Sequence, residues 1–272
     1  MPFRLDPPKS FKDLFSGDRS AGRTVAGMFV CSGDAGAAEI CAGSGLDYVL
    51  IDAEHGPVNL ESVLAQLRAV AGYDCVCVVR VPFNDAVLIK QFLDLGAQSL
   101  IVPMVNTPDD AVSAVSAVRY APAGVRGVGS ALARSARWNR VPDYLARADE
   151  FITLIVQIES AEAVANAAQI AAVDGIDAVF IGPSDLAATM GLLGQQDHPD
   201  VVAAVKRTIA DVKAAGKIVG VNAFVESQAR EYIAAGADFV NVGADVALLA
   251  RGTEALAAKY IADGSGDRPA SY

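Results

Sequence analysis

The chain has 272 residues, 53% hydrophobic and 20% charged, a balance that excludes a disordered, collagen-like or coiled-coil polypeptide. With 22 basic and 32 acidic residues the net charge is −10, and such a surface repels nucleic acid and anionic lipid. Residues 1–17 lack the unbroken apolar run of a signal peptide, and no later stretch is long and apolar enough to span a bilayer, so a cytoplasmic protein is expected.

Taken in chain order, the pattern alternates between short apolar runs and Ala-rich amphipathic stretches. The first run, 25–31, is followed by Gly-Leu-Asp-Tyr-Val-Leu-Ile-Asp at 45–52 and a predicted helix over 60–71. Next come a run at 75–80, a helix over 86–95, Gly-Ala-Gln-Ser-Leu-Ile-Val-Pro at 96–103 and a helix over 108–119. Residues 121–150 form the longest irregular insertion, with Arg126, Arg134, Arg137, Arg140 and the only tryptophan, Trp138. Strand 151–158, helix 161–171, Gly-Ile-Asp-Ala-Val-Phe-Ile-Gly at 175–182 and helix 201–215 follow. Strand 217–222, helix 228–235 and Gly-Ala-Asp-Phe-Val-Asn-Val-Gly at 236–243 complete the pattern. Four of the eight runs open on a glycine that ends a helical stretch, and their nearly continuous apolarity marks strands buried on both faces of a parallel sheet. Eight strands alternating with helices, without a glycine-rich dinucleotide turn after the first, predict an α/β fold: a single (β/α)8 barrel. We expect one domain over 1–263 and a mobile tail over 264–272.

The chemistry of such a barrel sits where the strands end. The second strand ends in Asp52-Ala-Glu54-His55, the third in Arg80, the fifth in Gln157-Ile-Glu159-Ser160 and the sixth in Gly182-Pro-Ser184-Asp185. The seventh and eighth carry Asn222 and Asn241. Glu159 and Asp185 form a candidate metal pair, since two carboxylates with open positions suit Mg²⁺ or Mn²⁺. The plainer reading makes each a cap of the helix it precedes. His55 reads as a general base, and Arg80 as the group that meets an anion or a developing oxyanion. His198, before a proline at a helix start, reads as structural. None of the seven lysines ends a strand, which argues against a Schiff-base mechanism. Cys31, Cys41, Cys75 and Cys77 form no C-x-x-C pair and read as core residues in a reducing compartment. Two histidines are too few for a multi-histidine metal site.

These residues together resemble the metal-dependent 2-oxo acid aldolases of the HpcH/HpaI family. The resemblance runs from about Gly27 to beyond Gly243. It is carried by Ile51-Asp-Ala-Glu-His-Gly-Pro57, Val79-Arg-Val-Pro82, Leu93-Asp-Leu-Gly-Ala97, Arg126-Gly-Val-Gly129, Val156-Gln-Ile-Glu-Ser160 and Phe180-Ile-Gly-Pro-Ser-Asp-Leu186. It implies a catalytic His55, a transition-state-stabilising Arg80, metal ligands Glu159 and Asp185, and substrate contacts at Gln157, Ser184 and Asp185. It also assigns Asp94, which the residues alone present as a solvated acid near a helix end, to raising the basicity of the histidine. The implied cofactor is a divalent metal (Mg²⁺ or Mn²⁺, with Co²⁺ or Zn²⁺ as alternatives). The implied partners are a small 2-oxo acid, an aldehyde and further copies of the chain, as a hexamer with a helix exchanged between subunits. The reaction is the cleavage of a 4-hydroxy-2-oxo acid to pyruvate and an aldehyde. Asn222 and Phe224 stand where relatives more often carry small or apolar groups, a departure at the aldehyde end. Rival readings are a citryl- or malyl-type thioester lyase, a phosphosugar isomerase and a non-catalytic barrel module.

Overall fold

The computed structural model describes residues 7–16 and 22–261. Its strands are β1 (Val25–Val30), β2 (Tyr48–Asp52), β3 (Val76–Arg80), β4 (Ser99–Val102), β5 (Thr153–Ile158), β6 (Ala178–Ile181), β7 (Ile218–Asn222) and β8 (Phe239–Ala244). Each pairs in parallel with the next, and β8 pairs with β1, closing the barrel. The helices among the described residues are α1 (Ala35–Ala42), α2 (Leu60–Val70), α3 (Ala86–Asp94), α4 (Pro108–Val118), α5 (Tyr144–Phe151), α6 (Ala161–Ala165), α7 (Ala167–Ala171), α8 (Pro183–Thr189), α9 (Pro199–Ala214), α10 (Glu226–Ala234) and α11 (Asp245–Tyr260). The (β/α)8 expectation holds. The tail at 264–272 lies outside the described residues.

Local chemistry explains the boundaries. Asp34, Asn59, Asp85, Thr107 and Ser160 each accept a backbone N–H from the first turn of the helix they precede, which satisfies donors a helix start leaves open. Gly45, Gly96, Gly175 and Gly236, the four glycines before β2, β4, β6 and β8, have φ between 91° and 106°. Side chains rarely adopt that conformation, so the repeated glycine is a requirement of the turn into the strand.

Three boundaries depart from the sequence-based expectation. The helix expected over 161–171 is broken at Asn166 (φ −99°, ψ 3°), whose Nδ2 donates to the Asn106 carbonyl at 2.9 Å. The insertion 121–150, expected to be irregular, ends in α5. Phe151 belongs to that helix rather than to β5, because its ring stacks on Tyr144 at 5.9 Å.

The two-residue period of each strand divides the core. Ile51, Val79, Leu100, Val156, Val179, Val221 and Val240 point outward onto the helices. Tyr48, Leu50, Val76, Val78, Ile101, Ile155, Phe180 and Phe239 point inward and fill the barrel. A 3-10 helix, Phe11–Phe15, closes the floor. Phe11 is fully buried, its ring meets Tyr48 and Phe239 edge-on at 5.2 and 4.9 Å, and its amide donates to Ser99 Oγ at 2.8 Å.

Inside this packing Gly220 leaves room for one ring. A Cβ there would stand 2.4 Å from Phe239, which itself stacks on Phe180 at 5.8 Å. Gly220→Ala is expected to destabilise the fold by about 1–3 kcal/mol through overpacking. Urea unfolding with an unchanged m-value measures it, and a variant as stable as the parent would show that the ring can move aside.

Candidate active site

The inward rows that fill the barrel continue upward into its mouth. After Tyr48 and Leu50 the next inward residue of β2 is Asp52, and after Val76 and Val78 that of β3 is Arg80. After Ile155 that of β5 is Gln157, followed by Glu159. The result is a mouth cavity of about 190 Å³ lined by Phe29, His55, Arg80, Gln157, Glu159, Phe180, Gly182, Ser184, Asp185 and Asn222. Among the sequence-predicted residues, His55, Arg80, Gln157, Glu159, Ser184 and Asp185 thus share one cavity.

Arg80 is held by its neighbours. Its Nε and Nη2 donate to Asp52 Oδ1 and Oδ2 at 2.9 and 2.7 Å, and Nη1 approaches Gln157 Oε1 at 3.5 Å. Glu54 Oε2 lies 3.2 Å from Nε, and the guanidinium sits 4.8 Å from the centre of the Phe29 ring. Asp52 also accepts the amides of Glu54 and His55 through Oδ1, at 3.1 and 3.3 Å. Burial works to raise the Asp52 carboxyl, but the Arg80 hydrogen bonds and charge, helped by those amides, hold it below its ordinary value. Asp52 therefore fixes both the arginine and the loop bearing His55. Sequence alone places Asp52 in the strand-end motif but gives it no role; the signal for one is its place in the inward row.

Glu159 is 2% exposed. Its Oε1 accepts the Met104 amide at 2.7 Å and its Oε2 accepts Gln157 Nε2. Ser160, not Glu159, caps the following helix, so the capping alternative fails for this residue. Asp185 does sit in the first turn of α8 while also lining the mouth. Burial pushes the Glu159 carboxyl up to about 7, with the charges of Glu54 and Asp185 adding to the shift. Burial likewise raises Glu54.

Two mouth carboxylates that repel each other, in a cavity whose one lining arginine is already shared with Asp52 and Glu54, fit a hard divalent cation. No group of three or more His, Cys, Asp and Glu side chains placed to hold a metal occurs among the described residues. Such a cation would take two protein oxygens and leave its other positions to water and substrate.

His55 stands at the rim, its side chain 67% exposed, with Nε2 3.9 Å from Glu54 Oε2. Ser184 Oγ donates to Gln196 Oε1 at 2.6 Å. Asn222 Oδ1 faces Asn241 Nδ2 at 3.4 Å, and Phe224 meets Phe29 edge-on at 6.3 Å. Burial, with Asp52 and Asp245 nearby, pushes the Cys31 thiol up to about 12, which removes it as a nucleophile. His198 caps α9, as expected.

Asp94 is not brought to the mouth. It is the last residue of α3, which runs back from the mouth to the floor, whereas His55 follows the mouth end of β2. Its neighbours are Arg126 and the 121–150 insertion.

A fold that is a closed eight-stranded barrel, with this acid-rich mouth, agrees with the comparisons. Residues 25–252 match the family model described as HpcH/HpaI aldolase/citrate lyase, and the chain belongs to that family. It is 51% identical over 252 residues to a 4-hydroxy-2-oxo-heptane-1,7-dioate aldolase of Salmonella dublin, covering 93% of this chain and 96% of the relative. A crystal structure of an HpcH/HpaI aldolase/citrate lyase family protein from Burkholderia cenocepacia superposes with a TM-score of 0.86 at 39% identity, over 92% and 98% of the two chains. One of an HpcH/HpaI aldolase from Desulfitobacterium hafniense gives 0.84 at 25% identity, over 95% and 100%. The chain is accordingly an aldolase, a carbon–carbon lyase.

Asp52→Asn removes the charge that balances a guanidinium only 6% exposed. A loss of about 3 kcal/mol is expected, because the arginine is left buried without its anion. Denaturant titration checks it, and a loss below about 1 kcal/mol would show that Glu54 suffices.

Proposed function

We propose that the chain is a divalent-metal-dependent aldolase that reversibly cleaves a 4-hydroxy-2-oxo acid to pyruvate and an aldehyde. The observation that carries this reading is Glu159: a buried carboxylate turned into the mouth beside Asp185, with Arg80 lining the same cavity. Glu159 and Asp185 would hold Mg²⁺ or Mn²⁺, with Co²⁺ or Zn²⁺ as substitutes. Such a cation, when bound, supplies a Lewis acid to the keto and carboxylate oxygens of the substrate.

The chain's own residues do the rest. His55 accepts the proton of the C4 hydroxyl. The electrons of that O–H bond form the aldehyde C=O as the C3–C4 bond breaks, and the C3–C4 pair moves onto the 2-oxo acid half as an enolate. Arg80 faces the keto oxygen where that negative charge gathers, already oriented by Asp52, so it need not reorganise during the step. Gln157, which bridges Arg80 and Glu159, contacts the 2-oxo acid together with Ser184 and Asp185. Asn222 and Phe224 border the aldehyde. The 4-hydroxy-2-oxo-heptane-1,7-dioate named for the 51% relative is the first substrate to try, giving pyruvate and succinic semialdehyde. Four free thiols suit a reducing cytoplasm.

The test is exchange of the pyruvate methyl protons in deuterated water, followed by NMR with metal-stripped and with Mg²⁺- or Mn²⁺-restored protein. Metal-dependent exchange is expected, slowed about 10²–10³-fold in Arg80→Ala and abolished in Glu159→Ala. No exchange with any divalent metal would sink the reading.

The role that the resemblance gives Asp94 requires a second copy, since one chain keeps Asp94 at the floor and His55 at the mouth. Helix α11 supplies the means of assembly. Asp245 is its sole buried residue, whereas Leu248, Leu249, Leu256 and Tyr260 are 58–75% exposed. A soluble chain does not leave such a helix bare; exchanged onto neighbouring copies, it would build a homo-oligomer, a hexamer by the resemblance. The double change Leu248→Asp and Leu249→Asp is expected to shift sedimentation to smaller species. An unchanged sedimentation coefficient would rule the exchange out.

A further inference from the structure

Opposite the mouth, the floor end of the barrel holds a buried cation that the mechanism above does not use. Arg126, from the insertion before α5, has no exposed side-chain surface. Its guanidinium lies 4.5 Å from the centre of the Tyr120 ring and 6.0 Å from that of Tyr144. Nη2 donates to the Tyr144 hydroxyl at 3.3 Å and stands 3.7 Å from Asp94 Oδ1. Its Nε and Nη1 have no hydrogen-bond partner, and neither does Asp94 Oδ1. A buried guanidinium among tyrosines is costly unless an anion faces it, and Asp94 is the carboxylate within ion-pair reach. The same segment holds Asp94 by its backbone, because the Arg134 and Ser135 amides donate to its carbonyl at 3.0 and 3.3 Å.

The geometry points to Arg126 as a positioning residue: it keeps a cation beside the Asp94 carboxylate and holds that carboxylate in one orientation for the His55 of a neighbouring copy. This rests on the role given to Asp94 above. The two rings hold the guanidinium in place, which keeps its positive charge beside the carboxylate. Asp94 keeps 32% of its side chain exposed, so a face remains open to a neighbour. The other charged groups around it are Lys90 on its own helix and Arg68 and Arg134 beside the same surface hollow. Burial leaves the Asp94 carboxyl raised overall, although Arg126 and then Lys90 act to lower it.

A double-mutant cycle tests this, with kcat and KM for 4-hydroxy-2-oxo-heptane-1,7-dioate measured on the metal-loaded enzyme. Arg126→Gln is expected to lower kcat about tenfold with KM within twofold, and to add less than twofold in an Asp94→Asn background, as coupled neighbours do. Arg126→Lys, which keeps the charge and guards against a Gln variant that folds poorly, is expected to recover most of the loss. Equal effects of Arg126→Gln in both backgrounds, or a Lys variant no better than Gln, would overturn the positioning role while leaving that of Asp94 intact. Asp94→Asn at the parental kcat would remove the role of Asp94 itself and this inference with it. A parent that cleaves no 4-hydroxy-2-oxo acid would bring down the functional reading beneath both.

Discussion

Closure of the barrel is the constraint on which the site depends. With every strand paired on both sides, half of all strand residues must face inward, and the interior has to be filled from the floor to the mouth. Rings fill the lower part, with Phe11, Tyr48, Phe180 and Phe239 in mutual contact. Above them most of the inward rows turn polar, with Phe29 left as an apolar wall of the mouth. Asp52, Arg80, Gln157 and Asn222 take the next positions, on backbone as rigid as the core below. Groups placed on strands this way lose little freedom in reaching a substrate, which is where much of the advantage of a preorganised site lies.

The charge arrangement at the mouth is a consequence of that placement. Arg80 is the one Arg or Lys among the residues lining the cavity, and Asp52 occupies two of its donors. A bidentate pair in a buried setting is geometrically specific but close to electrically closed. Glu159 consequently shares the Arg80 charge with Asp52 and Glu54, and no second Arg or Lys lines the cavity beside it and Asp185 among the described residues. Burial first, and then the charges of Glu54 and Asp185, raise the Glu159 carboxyl to about 7, so its negative charge is poorly compensated. A proton or a divalent ion can cancel it, and a divalent ion cancels more of it.

Much of this was legible in the chain. Four Gly-led apolar runs marked four strands, because the left-handed turn before each admits glycine readily and the strands are buried on both faces. The strand-end rule placed His55, Arg80, Gln157, Glu159, Ser184 and Asp185 around one mouth. Two kinds of information were missing. The break at Asn166 depends on a carbonyl 60 residues earlier in the chain, which local periodicity does not contain. In the sequence Asp52 is one more acid at a strand end; its role becomes visible only when β2 and β3 are in register, with Asp52 beside Arg80. Asp94 shows the limit from the other side, since the motif points to it and the folded chain holds it away from His55.

Under the role proposed for Asp94, that separation makes the barrel incomplete as a catalyst on its own. The mouth holds a base at the rim, more than half exposed, with Glu54 as its nearest acid. The floor holds an acid supported by a buried arginine and open to the outside. The last helix leaves a row of leucines uncovered. Each is a poor arrangement for an isolated molecule: an exposed base, a buried cation whose carboxylate partner is still partly open to solvent, and apolar surface in water. Assembly resolves all three together if the exchanged helix brings the floor of one copy over the mouth of another. The base would then gain its acid, the open face of the Arg126–Asp94 pair would be covered, and water would be excluded from the place where charge develops. If the proposed assembly forms, the quaternary arrangement becomes part of the active site, and the insertion between α4 and β5, irregular for most of its length, is the segment that would deliver Asp94 to it.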